Sequence, residues 1–246
     1  MRAAGDPSHG SGRPSTARRL FTDEQSTESS NWPSVTGMAL LPVDLDSTPD
    51  DIVSLLAVDA AVRVAVGLGH CPPSTSALHW SGEEGMWMVL VRPGEGRALL
   101  AGWHHEFSLT EGSGRAGEAG TDLVGDAPGW WRRGVEHARS RGAYLGFLYG
   151  WDGDGWWRLD QPVDDGFDPE IFPVTTAAVR DIIDELADDT LLDAPAAGAV
   201  DALLGAGARL SAPDLAAVLH SPDGWPEVDL EAGVRAAREF GSPVPA

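Results

Sequence analysis

Tyr144-Leu145-Gly146-Phe147-Leu148-Tyr149-Gly150-Trp151, Asp152-Gly153-Asp154-Gly155, Trp156-Trp157-Arg158-Leu159: this run over residues 144–159 decides the fold. Two apolar, aromatic-rich stretches flank four residues that strongly favour chain reversal, which is the signature of a β-hairpin. Along the first strand Leu145, Phe147, Tyr149 and Trp151 alternate with smaller residues. Gly146 and Gly150 fall on the opposite face and leave room for a close approach. The Asp-Gly repeat superficially resembles the start of a calcium loop. Trp156 stands where the third ligand belongs, so the turn reading prevails.

Working outward, a second hairpin lies upstream. Met86-Trp87-Met88-Val89-Leu90-Val91 is apolar on both faces, as in the interior strand of a covered sheet. Pro93-Gly94-Glu95-Gly96 turns the chain, and Arg97 to Trp103 returns as its partner. Before this pair, Ser47-Thr48-Pro49-Asp50-Asp51 supplies an N-cap hydroxyl, an early Pro and acids for a first helical turn. Ile52, Leu55, Leu56, Val62 and Val66 follow at helical spacing, with Asp59 and Arg63 as an i,i+4 pair on the polar side. Another helix is expected over about 128–140, carrying Trp130-Trp131. From Val174 onward the pattern is helical. Val179, Ile182, Ile183 and Leu186 form one stripe, with Asp181, Asp184, Glu185 and Asp188 on the other side. An Ala-rich helix at about 196–206, a capped one after Ser211 and a last one from about Asp229 to Phe240 complete the chain. Strands followed by helices, without strict alternation, predict an α+β fold: a mostly antiparallel sheet with packed helices and a helical C-terminal region. The expected organisation is a disordered tail over 1–37, an α+β core over 38–172 and a helical region over 173–246. Met38 opens the first apolar stretch and is a second candidate start of translation.

Composition bounds function. The 246 residues carry a formal net charge of −21, and all 17 basic residues are Arg. Such an acidic surface repels nucleic acid and anionic membranes and attracts basic proteins. Without Lys, Walker-type phosphate binding and Schiff-base chemistry are excluded. The single Cys, Cys71, permits no internal disulfide and no Cys-rich zinc site. No run approaches the roughly 18 apolar residues that span a bilayer. Arg18-Arg19-Leu20-Phe21 has the look of an export signal, but Thr22-Asp23-Glu24-Gln25 follows where an apolar stretch is required. The expected compartment is therefore the cytoplasm.

Two groups of residues are candidates for function. Trp103-His104-His105-Glu106-Phe107 offers imidazoles beside a carboxylate, the parts of a general-base or hydrolase site. On a strand, His104 and His105 would point to opposite faces, and no His-Glu-x-x-His spacing is present, so neither metal nor cofactor is expected. Trp130, Trp131, Trp156 and Trp157 form two adjacent pairs. Neither pair can face inward together on one regular element, so one Trp of each is expected to meet another layer, a partner or solvent. Asp164-Asp165-Gly166-Phe167-Asp168 reads as a solvated acidic loop.

The stretches Arg97 to Phe107 and Gly146 to Gly153, with the Trp130-Trp131 segment between them, resemble an uncharacterised actinobacterial protein family over residues 86–160 or so. That resemblance implies no established activity. In style, as an acidic α+β protein with Trp-bearing hairpins, the chain is similar to bacterial immunity proteins of the SUKH superfamily, although none of that superfamily's motifs can be matched residue by residue. The function expected is a non-enzymatic protein that binds a basic protein partner, of inhibitor or immunity type. The alternative is a hydrolase-type enzyme built on His104, His105 and Glu106.

Overall fold

The computed structural model of the chain describes residues 39–74, 77–82, 85–110, 123–125, 127–140, 144–161, 164–189, 195–220 and 227–241. The expected tail over 1–37 and the Gly-rich loop over 111–120 lie outside these residues.

Six strands form one antiparallel sheet: β1 (Leu40–Val43), β2 (Ala77–Ser81), β3 (Trp87–Gly94), β4 (Arg97–Trp103), β5 (Phe147–Trp151) and β6 (Trp156–Leu159). Their order is β1-β6-β5-β4-β3-β2. Both anticipated hairpins are present, with Trp151 opposite Trp156 and Val91 opposite Leu99. Strands β1 and β2 were not anticipated. β1 closes one edge beside β6, where Pro42 stands opposite Trp157; an edge strand is where a residue without an N–H is tolerated.

Around the sheet lie α1 (Pro49–Ala65), α2 (Trp131–Arg139), α3 (Thr176–Asp189), α4 (Ala199–Ala206), α5 (Ala212–Val218) and α6 (Leu230–Gly241). Residues alternating along the strands divide the core between two layers. Leu78, Met88, Leu90, Leu100, Phe147, Tyr149 and Trp156 share one cluster with α1 and the C-terminal helices. Val89, Val91, Leu99, Ala101, Leu148 and Leu159 share the other with Trp131, Val135 and Ala138 of α2. The sheet is thus covered on both faces.

Helix α1 begins as its sequence demands. Thr48 accepts from the Asp51 amide, and the Asp51 carboxylate accepts from the Thr48 amide, completing a capping box. Ile52, Leu56 and Val62 are fully buried, each contributing about 1.5–3 kcal/mol on transfer from water. The burial does not stop at one stripe. Helix α6 runs back along α1, starting with the Asp229 amide donating to the Ala65 carbonyl at 2.8 Å. The two backbones approach closely at Gly233, where a Cβ would lie 2.6 Å from the Ala61 carbonyl oxygen. The expected solvent-facing position of Asp59 is corrected: Asp59 is only 3% exposed, on the side of α1 that meets Trp80 of β2 and Phe240 of α6. Among the described residues, no helix is long and apolar enough to cross a membrane.

Candidate functional site

The structure assembles polar side chains in two places, one resting on the predicted His segment and the other on α1.

Strand β4 ends at Trp103, and residues 105–107 turn. Because the chain leaves the sheet there, His104 and His105 do not diverge to opposite faces. Their rings stack, with centroids 5.1 Å apart and planes inclined by 12°. His104 is buried, and its Nδ1 accepts from the amides of Glu106 at 3.2 Å and Phe107 at 3.3 Å. The acceptor role places the proton of the neutral ring on Nε2. The His104 amide donates to Ser108 Oγ, which in turn donates to the Asp165 carbonyl. His105 is half-buried, its Nε2 lying 3.8 Å from the Glu106 carboxylate, and Glu106 is exposed.

Asp165 corrects the expectation of a solvated loop. Its side chain is almost wholly buried, accepting from the Tyr149 hydroxyl at 2.8 Å and from the Phe167 amide at 3.1 Å. Arg158 approaches the same carboxylate at 3.6 Å. Burial pushes the Asp165 carboxyl up from its ordinary range, against the pull of Tyr149, Phe167 and Arg158. Burial, together with the Asp165 charge, likewise raises the Tyr149 phenol. Phe167 packs on Phe147 and Tyr149 with centroids 5.0 and 4.8 Å apart. The composition of a loop says nothing of what another strand holds against it, and here β5 draws Asp165 inward. The resulting chain of bonds from His104 to Tyr149 ties the β4 turn to β5 and the loop after β6.

The second assembly surrounds a cavity of about 220 Å³ between α1, β2 and α6. Leu56, Asp59, Ala60 and Arg63 lie on one face of α1, spaced three and four apart, and meet Trp80 of β2 and Phe240 of α6. Arg63 Nε donates to Asp59 Oδ1 at 2.8 Å. Arg63 also stands over the Trp80 ring, 5.9 Å from its centroid. Burial pushes the Asp59 carboxyl up, while Arg63 and, more weakly, Trp80 and His70 hold it down. The buried Trp80 indole N–H acts on that carboxylate without closing a regular hydrogen bond. At the mouth, His70 Nε2 lies 3.2 Å from Glu239, and Cys71 Sγ lies 3.7 Å from Ser81 Oγ.

The paired Trp residues divide as their spacing predicts, but toward the protein's own layers. Trp131 and Trp156 are core residues on opposite faces of the sheet. Trp130 and Trp157 are half-buried against the α2-side cluster, and Arg97 stands 5.6 Å over the Trp130 ring. Trp131 and Trp156 therefore present no surface to a partner.

No family model, no curated protein and no solved structure matches this chain.

Sequence reasoning missed the cavity. The Asp59–Arg63 spacing pointed to those residues, yet the same spacing marks a solvent-facing pair on most helices. The Phe240 and Trp80 walls come from distant segments, α6 and β2, which meet α1 only in the folded chain.

Charge is also unevenly distributed. Asp181, Asp184, Glu185 and Asp188 are all exposed on the outer side of α3, whose inner residues Val179, Ile183 and Leu186 are buried. On the opposite side of the sheet, α2 exposes Arg132 and Arg133.

Proposed function

We propose that the protein is a non-enzymatic binding protein that engages a basic protein partner through the outer face of α3, acting as an inhibitor or immunity-type factor. The observation that carries this reading is that the α3 stripe opposes the stability of its own helix. Asp181 and Glu185 are four residues apart, as are Asp184 and Asp188, so like charges face each other along the helix. Such pairs cost about 0.2–0.5 kcal/mol each. The last turn carries acids and no basic residue, which also opposes the helix dipole. A surface arranged for stability would alternate signs. One of a single sign steers a partner of opposite sign and sets its orientation.

The hydrolase reading of His104, His105 and Glu106 receives less support. The buried ring nitrogen of His104 that could act as a base is already bonded to two backbone amides. A general base must instead reach the proton that it abstracts.

The test separates the α3 stripe from overall acidity. One variant converts Asp181, Asp184, Glu185 and Asp188 to their amides; a control does the same to the exposed Asp44, Asp46, Asp154 and Asp160. Both are titrated against a basic globular probe such as cytochrome c at low ionic strength. The proposal expects the first variant to lose binding and the control to retain it. Equal loss in both, or no binding by the parent protein, would overturn it.

A further inference from the structure

We infer that the cavity between α1, β2 and α6 binds a small organic cation, of the alkylammonium or alkylguanidinium class. The inference is independent of the α3 reading, because it concerns a different surface and a different ligand.

Size comes first. A volume of about 220 Å³ corresponds to roughly seven waters at about 30 Å³ each, enough for a short alkyl chain with a polar head. The lining matches such a molecule. Leu56, Ala60 and Phe240 supply apolar wall, and Trp80 supplies an aromatic face. That face already takes a cation, since the Arg63 guanidinium lies 5.9 Å over it.

The buried carboxylate sets the sign of the ligand. The ionisable groups that line the cavity are Asp59, Arg63, His70, His79 and Cys71, and the exposed Glu239 meets His70 at the mouth. Arg63 engages Asp59 through a single Nε–Oδ1 bond rather than a two-pronged fork, so the carboxylate keeps acceptor capacity. Asp59 is 3% exposed, and a carboxylate so far from water gains more from a second cation than one at the surface.

Cys71 makes this testable, because it is the only cysteine in the chain and lines the cavity. The rate at which it reacts with methanethiosulfonate reagents of similar size, one bearing trimethylammonium and one bearing sulfonate, reports which charge the cavity admits. The ratio is normalised to that of the denatured protein. A Cys71→Ser protein with the exposed Ala217→Cys substitution reports the field of the whole molecule. The expected result is a preference for the cationic reagent at Cys71 about tenfold above that at residue 217. n-Butylammonium should slow the reaction at Cys71, and butyrate should not. Asp59→Asn should bring the ratio down toward that of residue 217. Should Asp59→Asn fail to fold, Glu239→Gln at the exposed mouth should lower it by about two- to threefold. Equal preference at residues 71 and 217, or equal protection by butyrate and butylammonium, would overturn the assignment.

Discussion

The indole of Trp131 occupies the space that a side chain at residue 150 would need. A Cβ built at Gly150 would fall 2.4 Å from Cε2, Cζ2 and Nε1 of that ring. The close approach that the small face of β5 permits is thus made by the protein's own helix α2, and one glycine locks that helix to the sheet. Gly150→Ala should therefore destabilise the protein by about 2–4 kcal/mol, since neither a buried indole nor a central strand can yield cheaply. A urea titration should show a lowered midpoint with an unchanged slope. A midpoint within experimental error of the parent would mean that Trp131 moves freely.

Tyr149 and Asp165 make stability depend on pH in a defined direction. The Asp165 carboxyl is raised above its ordinary 3.8 in the folded chain, chiefly by burial. A group of this kind contributes fully below its unfolded pKa and loses that contribution as pH rises through its folded pKa. The Tyr149 hydroxyl favours the charged carboxylate, so its removal pushes the folded pKa higher and deepens the loss. Tyr149→Phe should consequently cost little near pH 4, by the ordinary carboxylate range, and about 1–3 kcal/mol more near pH 7. Denaturant titrations of parent and variant at both pH values provide the check, because acid effects elsewhere cancel in the difference. A pH-independent difference would show that the hydroxyl acts only through packing.

How much of this was legible depends on where each residue's partner lies in the chain. Thr48-Pro49-Asp50-Asp51 announced α1, and Ser211 with Asp214 announced α5, because both capping boxes close within four residues. The hairpin around Asp152 was equally local: the Asp152 carboxylate accepts from the amides of Asp154 and Gly155. Strand β1 was hidden because Leu40 finds its partner at Leu159, far along the chain. Strand β2 is buried at four successive positions, Ala77 to Trp80, so it shows no alternation to read. Asp59 and Asp165 misled for one shared reason. Acids in a very acidic chain are ordinarily solvated, and only distant elements, β2 with α6 for Asp59 and β5 for Asp165, remove these two from water. Both assemblies therefore arose where local pattern and tertiary packing disagree.

His104 is the residue whose role the structure most sharply restricts. Its Nδ1 accepts from two amides, and its ring lies 4.5 Å from that of Phe107 and edge-on to Phe172. His104→Ala should strand both amides and leave a void, costing about 2–4 kcal/mol. His104→Asn places a carbonyl oxygen near the position of Nδ1 and should recover part of that loss through hydrogen bonding, though not the ring contacts. Thermal denaturation of the pair measures the difference. Identical losses in both variants would mean that ring packing, and not the acceptor, holds the turn.

The α3 stripe yields a prediction in which stability and binding move oppositely. Asp188 lies in the last turn of α3, four residues after Asp184, and is exposed. Asp188→Lys turns a repulsive i,i+4 pair into an attractive one and places a cation at the negative end of the helix dipole. The protein should gain about 0.5–1 kcal/mol, seen as a higher denaturation midpoint. Affinity for a basic protein should fall, because the substitution sits within the steering surface. Asp154→Lys, in the β5–β6 turn, changes net charge equally but alters no helix; it should leave stability nearly unchanged and weaken binding less. If Asp188→Lys gained stability and still bound as tightly as the Asp154 control, α3 would be an acidic helix without a partner. If it lost stability, the like-charge spacing would not be the force acting on this helix.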